Sequence, residues 1–267
     1  MNPPVVERYD TRHGPLLALR NDTYITPSLA TYGEYCPNEW LLLSQIVKPG
    51  MTVVEVGTNI GPHTVGLARA CAPGPLFAFE PQPRVFQILC ANLVLNNIAN
   101  AFAYPEALGD EEGEVTVPII DYSSPHNFGG VDVRAAGEPG IKVRLRRLDS
   151  LDLTACDLLK VDVEGFELQV IRGARETIAR HRPTLYLEND RAAHQGDLIS
   201  LIADMGYRLY WHTPPLFSGK NFKGVQNDIF PGVGSINMIC LPRERTLRVH
   251  LKEIDPTNWA SPLPAMP

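Results

Sequence analysis

Two acidic residues and a glycine turn are spaced as the recognition of a nucleoside requires. The segment Val53–Gly61 is an apolar strand pattern that includes Glu55 and breaks into a turn at Gly57. Glu80 ends the next apolar run, Leu76–Phe79. Its offset of about twenty residues is where α/β nucleotide-binding folds place a carboxylate that accepts the two ribose hydroxyls. The pattern predicts a pocket for a nucleoside-containing cofactor.

The turn residues discriminate between two cofactor classes. A dinucleotide loop needs a second glycine so that the backbone approaches the pyrophosphate. Here Asn59 holds that position, and Pro62 stands where the third glycine would fall. S-adenosylmethionine has no phosphate and requires only that backbone and small side chains reach its amino acid end, which Gly57 permits. We therefore predict S-adenosylmethionine. The alternatives are an NAD(P)-dependent oxidoreductase, a non-catalytic S-adenosylmethionine-binding protein, and a plain glycine turn between strand and helix.

The cofactor candidates surround this turn. Glu55 is expected to anchor the methionine end or to fix the loop, and Glu106 to accept the adenine amino group or to lie in a solvated turn. His63 either contacts the cofactor or substrate or lies on a helix surface. The full set of predicted cofactor-binding residues is Glu55, Gly57, Thr58, Asn59, Gly61, His63, Glu80, Pro81, Glu106, Ala107 and Asp162.

Transfer of a methyl group needs an oriented nucleophile and, where that nucleophile carries a proton, a base that removes it. Ligands of open α/β sheets bind at the carboxyl ends of the strands. Asp162 and Glu188 each follow such an apolar run, and His212 ends another. These three are the predicted catalytic residues. Lys160 shares a strand face with Asp162, which predicts an internal ion pair.

Further polar side chains at the same edge suggest a metal and a substrate surface. Asp162, Glu188 and Asn189 would supply the oxygen ligands that Mg²⁺ prefers, an arrangement similar to that of metal-dependent catechol-type O-methyltransferases. Acidic strand ends without metal are the alternative. His126, Asn127 and Trp211 are the candidates for acceptor contacts, Trp211 by stacking unless it packs in the core.

Several motifs resemble the FkbM family of S-adenosylmethionine-dependent methyltransferases. Lys160–Gly165 reads Lys-x-Asp-x-Glu-Gly, and Arg172–Ala174 reads Arg-Gly-Ala. The resemblance covers roughly residues 50 to 190 and departs from many members at Glu55, where they carry Asp. It implies a Rossmann-like class I methyltransferase fold, with a mostly parallel seven-stranded sheet and an antiparallel last strand. It also implies O-methylation of a sugar, glycoconjugate or polyketide-type natural product.

The elements that must position these residues follow an alternating strand and helix pattern. We predict an N-terminal lid or brace (1–50), a methyltransferase domain (51–242) and an unassigned tail (243–267). Glu114–Ile120 is expected to form a hairpin with Ala101–Tyr104, Val143–Arg146 to be an edge strand, and segments 121–140 and 214–232 to be loops beside the site. The other predicted strands are Thr52–Val56, Leu76–Phe79, Leu158–Val163, Thr184–Leu187, Tyr207–Trp211 and Gly234–Leu241. The predicted helices are Asn38–Val47, two that begin at Pro62 and Pro83, one that carries Val170, Ile171, Ala174 and Ile178, and one that carries Leu198, Leu201, Ile202 and Met205.

Composition excludes some partners. The 267 residues carry a formal charge of −6 from 24 basic and 30 acidic side chains, without a dense basic block, so nucleic acid is not expected as a partner. The five cysteines form no Cys-x-x-Cys pair and are predicted to be reduced thiols. Without a leader pattern or an apolar run of membrane length, we expect a soluble, cytoplasmic protein that is not bound to membranes. The oligomeric state is left open, a homodimer included.

Overall fold

The computed structural model describes residues 5–133, 139–245 and 250–262. Its helices are α1 (Ile25–Tyr32), α2 (Pro37–Ile46), α3 (Thr64–Cys71), α4 (Pro83–Leu95), α5 (Glu167–Arg172), α6 (Arg175–His181) and α7 (Gln195–Asp204), with a 3₁₀ turn at Leu148–Leu151. Its strands are β1 (Val6–Thr11), β2 (Gly14–Leu19), β3 (Val53–Val56), β4 (Leu76–Phe79), β5 (Ala101–Tyr104), β6 (Glu106–Leu108), β7 (Gly113–Pro118), β8 (Gly140–Arg146), β9 (Leu158–Val161), β10 (Thr184–Glu188), β11 (Tyr207–His212), β12 (Asn237–Pro242) and β13 (Glu253–Ile254).

The main sheet confirms the predicted class of fold. In the described residues it has eight strands in the order β13-β11-β12-β10-β9-β3-β4-β5. Strands β10, β9, β3, β4 and β5 pair in parallel, whereas β12 is antiparallel to both β10 and β11. This is the expected mostly parallel sheet with an antiparallel last strand. The tail, which the sequence left unassigned, adds the two-residue strand β13 at one edge.

Apolar cores cover both faces of this sheet, as its nearly continuous apolar strands require. Alternate residues of β3 point to opposite faces: Val54 packs with the α5–α7 core, and Val53 packs with the α3 and α4 core. The second core also contains Leu16 and Leu29 from the N-terminal segment. By the same alternation Glu55 shares the face of Val53, so its carboxylate is buried on the side that the N-terminal helices cover.

The prediction of a hairpin between Ala101–Tyr104 and Glu114–Ile120 was wrong. Strand β5 belongs to the main sheet, and after it the chain enters a separate three-stranded sheet of order β6-β8-β7. There β7 is antiparallel to β8, and β8 is the central strand instead of the predicted edge strand. The alternation of polar and apolar residues identifies a half-exposed strand but does not reveal whether it pairs with one strand or with two.

Two helix predictions also need correction. The single helix predicted through Val170 and Ile178 is two helices, α5 and α6, with Gly173 between them. The backbone of Gly173 passes so close to Gly109 that a Cβ would lie 1.8 Å from its carbonyl oxygen. Helix α3 begins at Thr64 and not at Pro62, since Gly61 has a φ of +88° and the turn continues past it. The prediction Asn38–Val47 matches α2 within one residue at each end.

The remaining predictions concern loops, thiols and membrane spans. Between β7 and β8, and between β11 and β12, the described residues form only isolated bridges. All five cysteines are unpaired, as predicted. In the described part of the chain no helix has the length and apolar character needed to cross a bilayer. Parts of the predicted brace, of loop 121–140 and of the tail (1–4, 134–138, 246–249 and 263–267) lie outside the described residues.

Candidate functional site

A cleft lies at the carboxyl edge of the parallel strands, above Gly57. It consists of two cavities, of about 480 and 630 Å³. Both are lined by Gly57, Glu80, Gly129, Asp162 and Glu164, so we treat them as one cleft with two chambers. This is the place where ligands bind in open α/β sheets.

The smaller, apolar chamber lies beside β4 and β6. Its further lining residues are mostly apolar: Val56, Pro81, Gln82, Glu106, Ala107, Leu108, Val131, Val133, Val163 and Phe166. The carboxylate of Glu106 is already paired, 3.4 Å from Arg144 and 3.6 Å from Arg146. A flat, weakly polar group such as a purine base suits these walls.

The larger, polar chamber extends towards the N-terminal helices. Its further lining residues are Tyr24, Ile25, Tyr35, Glu55, Thr58, Asn59, Pro62, His63, Asn127 and Lys160. Tyr24, Ile25 and Tyr35 come from the N-terminal segment, and no motif in the sequence marked them. Gly129, which lies between the chambers, was equally unmarked.

Gly57 is required by a close approach between β3 and β9. Its φ is +80°, and a Cβ built on it would lie 1.7 Å from the carbonyl oxygen of Asp162. The same two strand ends are joined by a hydrogen bond of 3.0 Å from the Asp162 amide to the Val56 carbonyl. The bare backbone at Gly57 therefore forms the floor where the chambers meet.

Glu80 is buried and holds the turn that precedes α3. Its carboxylate accepts hydrogen bonds from the backbone amides of Asn59 and Gln82, each at 2.9 Å. Burial raises its pKa to about 7, although these amides favour the charged form. Each carboxylate oxygen has two lone pairs, so Glu80 retains acceptor capacity towards the cleft.

A buried ionic group lies beneath the polar chamber. The Lys160 ammonium is 3.6 Å from Glu55 and 3.4 Å from Asp162, which confirms the predicted internal ion pair. Burial raises the pKa of Glu55, an effect that Lys160 opposes. Burial alone would lower the pKa of Lys160, but the carboxylates of Asp162 and Glu55 outweigh it and raise that pKa. Lys160 is therefore charged and neutralises only part of the surrounding negative charge.

His63 also lines the polar chamber and is not on the helix surface. Its side chain is 5% exposed, with Nε2 3.1 Å from the Tyr35 carbonyl oxygen and Nδ1 3.9 Å from Glu39. Burial lowers the pKa of His63 to about 4, and Lys160 adds to this effect. The imidazole is therefore neutral at physiological pH and available as a hydrogen-bonding group.

Three carboxylates converge beside the cleft. Asp162, Glu164 and Glu188 each have an oxygen within 4.8 Å of the others. Among the described residues Glu188 Oε2 is buried without a hydrogen-bond partner, and Glu164 pairs with Arg191. Burial, followed by the charges of Asp162 and Glu164, raises the pKa of Glu188 well above its ordinary value. Burial and the charge of Asp162 likewise raise the pKa of Glu164 to about 8.

This group overlaps with the predicted metal set but is not identical to it. Glu164 was missed as a site residue, although it stands in the Lys-x-Asp-x-Glu-Gly motif. Asn189 is buried and its amide nitrogen donates to Met238 Sδ at 3.4 Å. An amide oriented in this way interacts with the β12 side of the sheet.

Other predicted residues lie apart from the cleft. His212 and Trp211 line a separate cavity, and His212 Nδ1 is 2.8 Å from the Tyr186 hydroxyl. His126 lines a third cavity, whereas its neighbour Asn127 does line the polar chamber. Gly61 lines neither chamber and serves the turn.

Comparison with known proteins identifies the family of this chain. The family described as "Methyltransferase FkbM domain" matches residues 55–209. The chain is 29% identical over 158 residues to methyltransferase sdnD of Sordaria araneosa, covering 46% of this chain and 60% of sdnD. It is 26% identical to 2-O-methyltransferase NoeI of Sinorhizobium fredii, covering 59% of this chain and 71% of NoeI. It is also 26% identical to 31-O-demethyl-FK506 methyltransferase FkbM of Streptomyces tacrolimicus, covering 67% of this chain and 81% of that protein. The chain thus spans less than two thirds of the length of sdnD.

Proposed function

This chain belongs to the FkbM methyltransferase family, and we propose that it transfers the methyl group of S-adenosylmethionine to a hydroxyl of a sugar, glycoconjugate or polyketide-type natural product. The observation that carries the proposal is the two-chambered cleft over Gly57, with Glu80 between its apolar and polar halves. The acceptor class is supported by the relatives, since NoeI is a 2-O-methyltransferase and the Streptomyces protein acts on 31-O-demethyl-FK506.

The lining residues fit this cofactor from end to end. The apolar chamber suits adenine, with Ala107 and Pro81 in its walls. Glu80 would accept the ribose hydroxyls, since a carboxylate can take two hydrogen bonds from a vicinal diol. The polar chamber would hold the methionine end, with the Asn59 turn and the Lys160 group at its floor. When bound, the cofactor supplies an electrophilic methyl group.

The charge of the cleft argues against a dinucleotide. Among the described residues that line it, the cation is Lys160, whereas the acidic residues are Glu55, Glu80, Glu106, Asp162 and Glu164. A pyrophosphate would meet one cation and a surplus of acidic groups in a partly desolvated space, and its own charge would have little to neutralise it. A sulfonium and an ammonium group would instead be attracted. The family and the charge therefore favour the same cofactor.

We assign the proton acceptor to the acidic edge of the cleft. Asp162 lines both chambers and its side chain is 39% exposed, so it can contact an acceptor hydroxyl. A base positioned in this way increases the reaction rate by about 10² to 10⁴-fold. Without a metal, the raised pKa values of Glu164 and Glu188 suit them to hold a proton nearby. His212 remains a predicted base, but its place in another cavity gives it no contact with this cleft.

The same carboxylates would suit a divalent cation, and we propose Mg²⁺ with Asp162, Glu164 and Glu188 as ligands. The supporting observation is Glu188 Oε2, which is buried without a hydrogen-bond partner among the described residues. Bound there, Mg²⁺ would lower the pKa of an acceptor alcohol. If methyl transfer by the purified protein is unchanged after exhaustive chelation, the metal proposal is wrong and Asp162 acts as the base alone.

Isothermal titration tests the proposed function. We expect a 1:1 complex with S-adenosylmethionine and no measurable binding of NADH. Glu80→Ala should weaken the complex by roughly tenfold or more, because it removes the acceptor of the ribose hydroxyls. Glu114→Ala removes an exposed carboxylate paired with Lys142 away from the cleft and is the control. NADH binding in place of S-adenosylmethionine would refute the proposal.

A labelled-methyl screen against glycosylated and polyketide acceptors then tests the acceptor class. Label transferred only to amines or thiols would contradict O-methylation. The division into segments 1–50, 51–242 and 243–267 and the cytoplasmic location stay predictions.

A further inference from the structure

One buried carboxylate lies outside the residues that match the family and accepts hydrogen bonds from two walls of the cleft. Asp22 follows β2 and is 6% exposed. Its Oδ1 accepts hydrogen bonds from the amides of Tyr24 at 2.9 Å and Ile25 at 2.5 Å, so it caps the start of α1. Its Oδ2 accepts the amide of Phe128 at 3.3 Å, more than a hundred residues later in the chain.

The residues on each side of these bonds line the polar chamber. Tyr24 and Ile25 line it on the N-terminal side. Asn127 and Gly129, the two neighbours of Phe128, line it on the side of the long loop. Asp22 therefore sits at the point where two segments distant in sequence meet around the proposed methionine end.

Further bonds hold the loop in the same place. The Thr23 amide donates to the His126 carbonyl at 3.1 Å, and the His126 amide donates to the Asn21 carbonyl at 3.0 Å. From the other side Gln82 Nε2 donates to the Phe128 carbonyl at 2.8 Å. Phe128 itself is fully buried. The segment 126–130 is thus fixed between the N-terminal segment and the turn after β4.

We propose that Asp22 is a positioning residue that builds the methionine end of the cofactor site by joining α1 to segment 126–130. This inference rests on the proposed function, because it assumes that the polar chamber binds the cofactor. Its consequence is that the N-terminal segment is part of the cofactor site and not a separate cover. A wall that is preorganised in the free protein lowers the ordering cost of binding.

The substitution Asp22→Asn tests the hydrogen bonds of Oδ1 to α1 and the hydrogen bond of Oδ2 to Phe128 separately. The amide oxygen of Asn can keep the several α1 amides that Oδ1 now accepts. Its NH₂ group would then face the Phe128 amide, donor against donor. Helix α1 should therefore stay capped, while the Phe128 amide loses its acceptor and is pushed away from position 22; the other three bonds still hold segment 126–130. A purely structural role as a helix cap would leave cofactor affinity unchanged in this variant.

Asp149 provides a matched control at another helix start. It accepts the amides of Glu176 at 3.1 Å and Thr177 at 2.8 Å, and so caps α6 away from the cleft. Asp149→Asn makes the same isosteric change without touching either chamber, although it also removes the 3.2 Å ion pair between Asp149 and Arg147.

The experiment combines titration with S-adenosylmethionine and amide hydrogen exchange. Asp22→Asn should raise the dissociation constant by roughly tenfold, and Asp149→Asn should leave it within about twofold. The Phe128 amide should exchange faster in Asp22→Asn, whereas the Ile25 amide should stay protected. Unchanged affinity in a folded Asp22→Asn protein overturns the proposal, whatever the exchange rates.

The wild type provides a second measurement in case the variant does not fold. Binding of S-adenosylmethionine should slow exchange of the Tyr24 and Phe128 amides together; protection of only one of them overturns the proposal. If the wild type does not bind S-adenosylmethionine, the proposed function has failed instead. The joining role of Asp22 is then decided by whether Asp22→Asn accelerates exchange at Phe128.

Discussion

Replacement of Gly57 by alanine is expected to damage the cleft more than any ordinary glycine substitution. Two costs add at this position. Left-handed backbone costs a residue with a Cβ about 1–2 kcal/mol. In addition, the Cβ would lie 1.7 Å from the Asp162 carbonyl oxygen, where ordinary contacts begin at 3.4 Å, so the strand ends must separate by 3.4 − 1.7 = 1.7 Å. That displacement would break the buried bond from the Asp162 amide to Val56, a further loss of about 1–3 kcal/mol.

Gly50→Ala has only the first of these costs, so its difference from Gly57→Ala isolates the second. Gly50 has a φ of +88°, close to the +80° of Gly57, but a Cβ there would meet nothing within 4 Å. Urea unfolding should therefore show a loss of about 1–2 kcal/mol for Gly50→Ala and about 2–5 kcal/mol for Gly57→Ala. Titration should show that only Gly57→Ala weakens S-adenosylmethionine binding, by at least about tenfold. Equal losses of stability and unchanged affinity in both variants would refute the reasoning.

Two further predictions concern buried charge. Lys160→Met should destabilise the fold by about 3–5 kcal/mol in urea unfolding, because it leaves Glu55 buried without its cation. Arg180→Gln, which breaks an exposed ion pair with Asp152, should cost less than about 1 kcal/mol. A similarly small loss of stability in both variants would contradict the buried ion pair. The Glu80 carboxyl has its pKa raised by burial from 4.5 to about 7, so the folded state holds its proton more tightly and this contribution to stability is lost as pH rises from about 4.5 to 7. The wild type should therefore lose stability relative to Glu80→Gln as the pH rises through that window. A difference in unfolding free energy that does not change with pH would contradict the raised pKa.

The sheet and the floor of the cleft could be predicted because local patterns encode them. Apolar runs separated by helical periodicity give parallel strands, and parallel strands bring their carboxyl ends to one edge. This is why Gly57, Glu80 and Asp162, which lie in three separate motifs, meet in one cleft. The Lys160–Asp162 pair followed from the two-residue period of a strand.

What the sequence did not reveal depends on contacts between distant segments. Tyr24 and Tyr35 line the cleft only because the N-terminal segment folds over the sheet, and no local pattern reports that packing. His212 ends a strand at the same edge, but its strand lies beyond β12, so it faces a different cavity. Position at a strand end thus predicts the edge of the sheet and not the distance along it.

The central claim is that the cleft over Gly57 binds a sulfonium nucleoside with its ribose at Glu80. A crystal structure of the chain with S-adenosylhomocysteine tests it directly. We predict the ribose hydroxyls within hydrogen-bond distance of the Glu80 carboxylate, the adenine against Ala107 and Leu108, and the amino acid end in the chamber lined by Asn59 and Lys160. A ligand bound away from Glu80, or reversed between the two chambers, would contradict the claim.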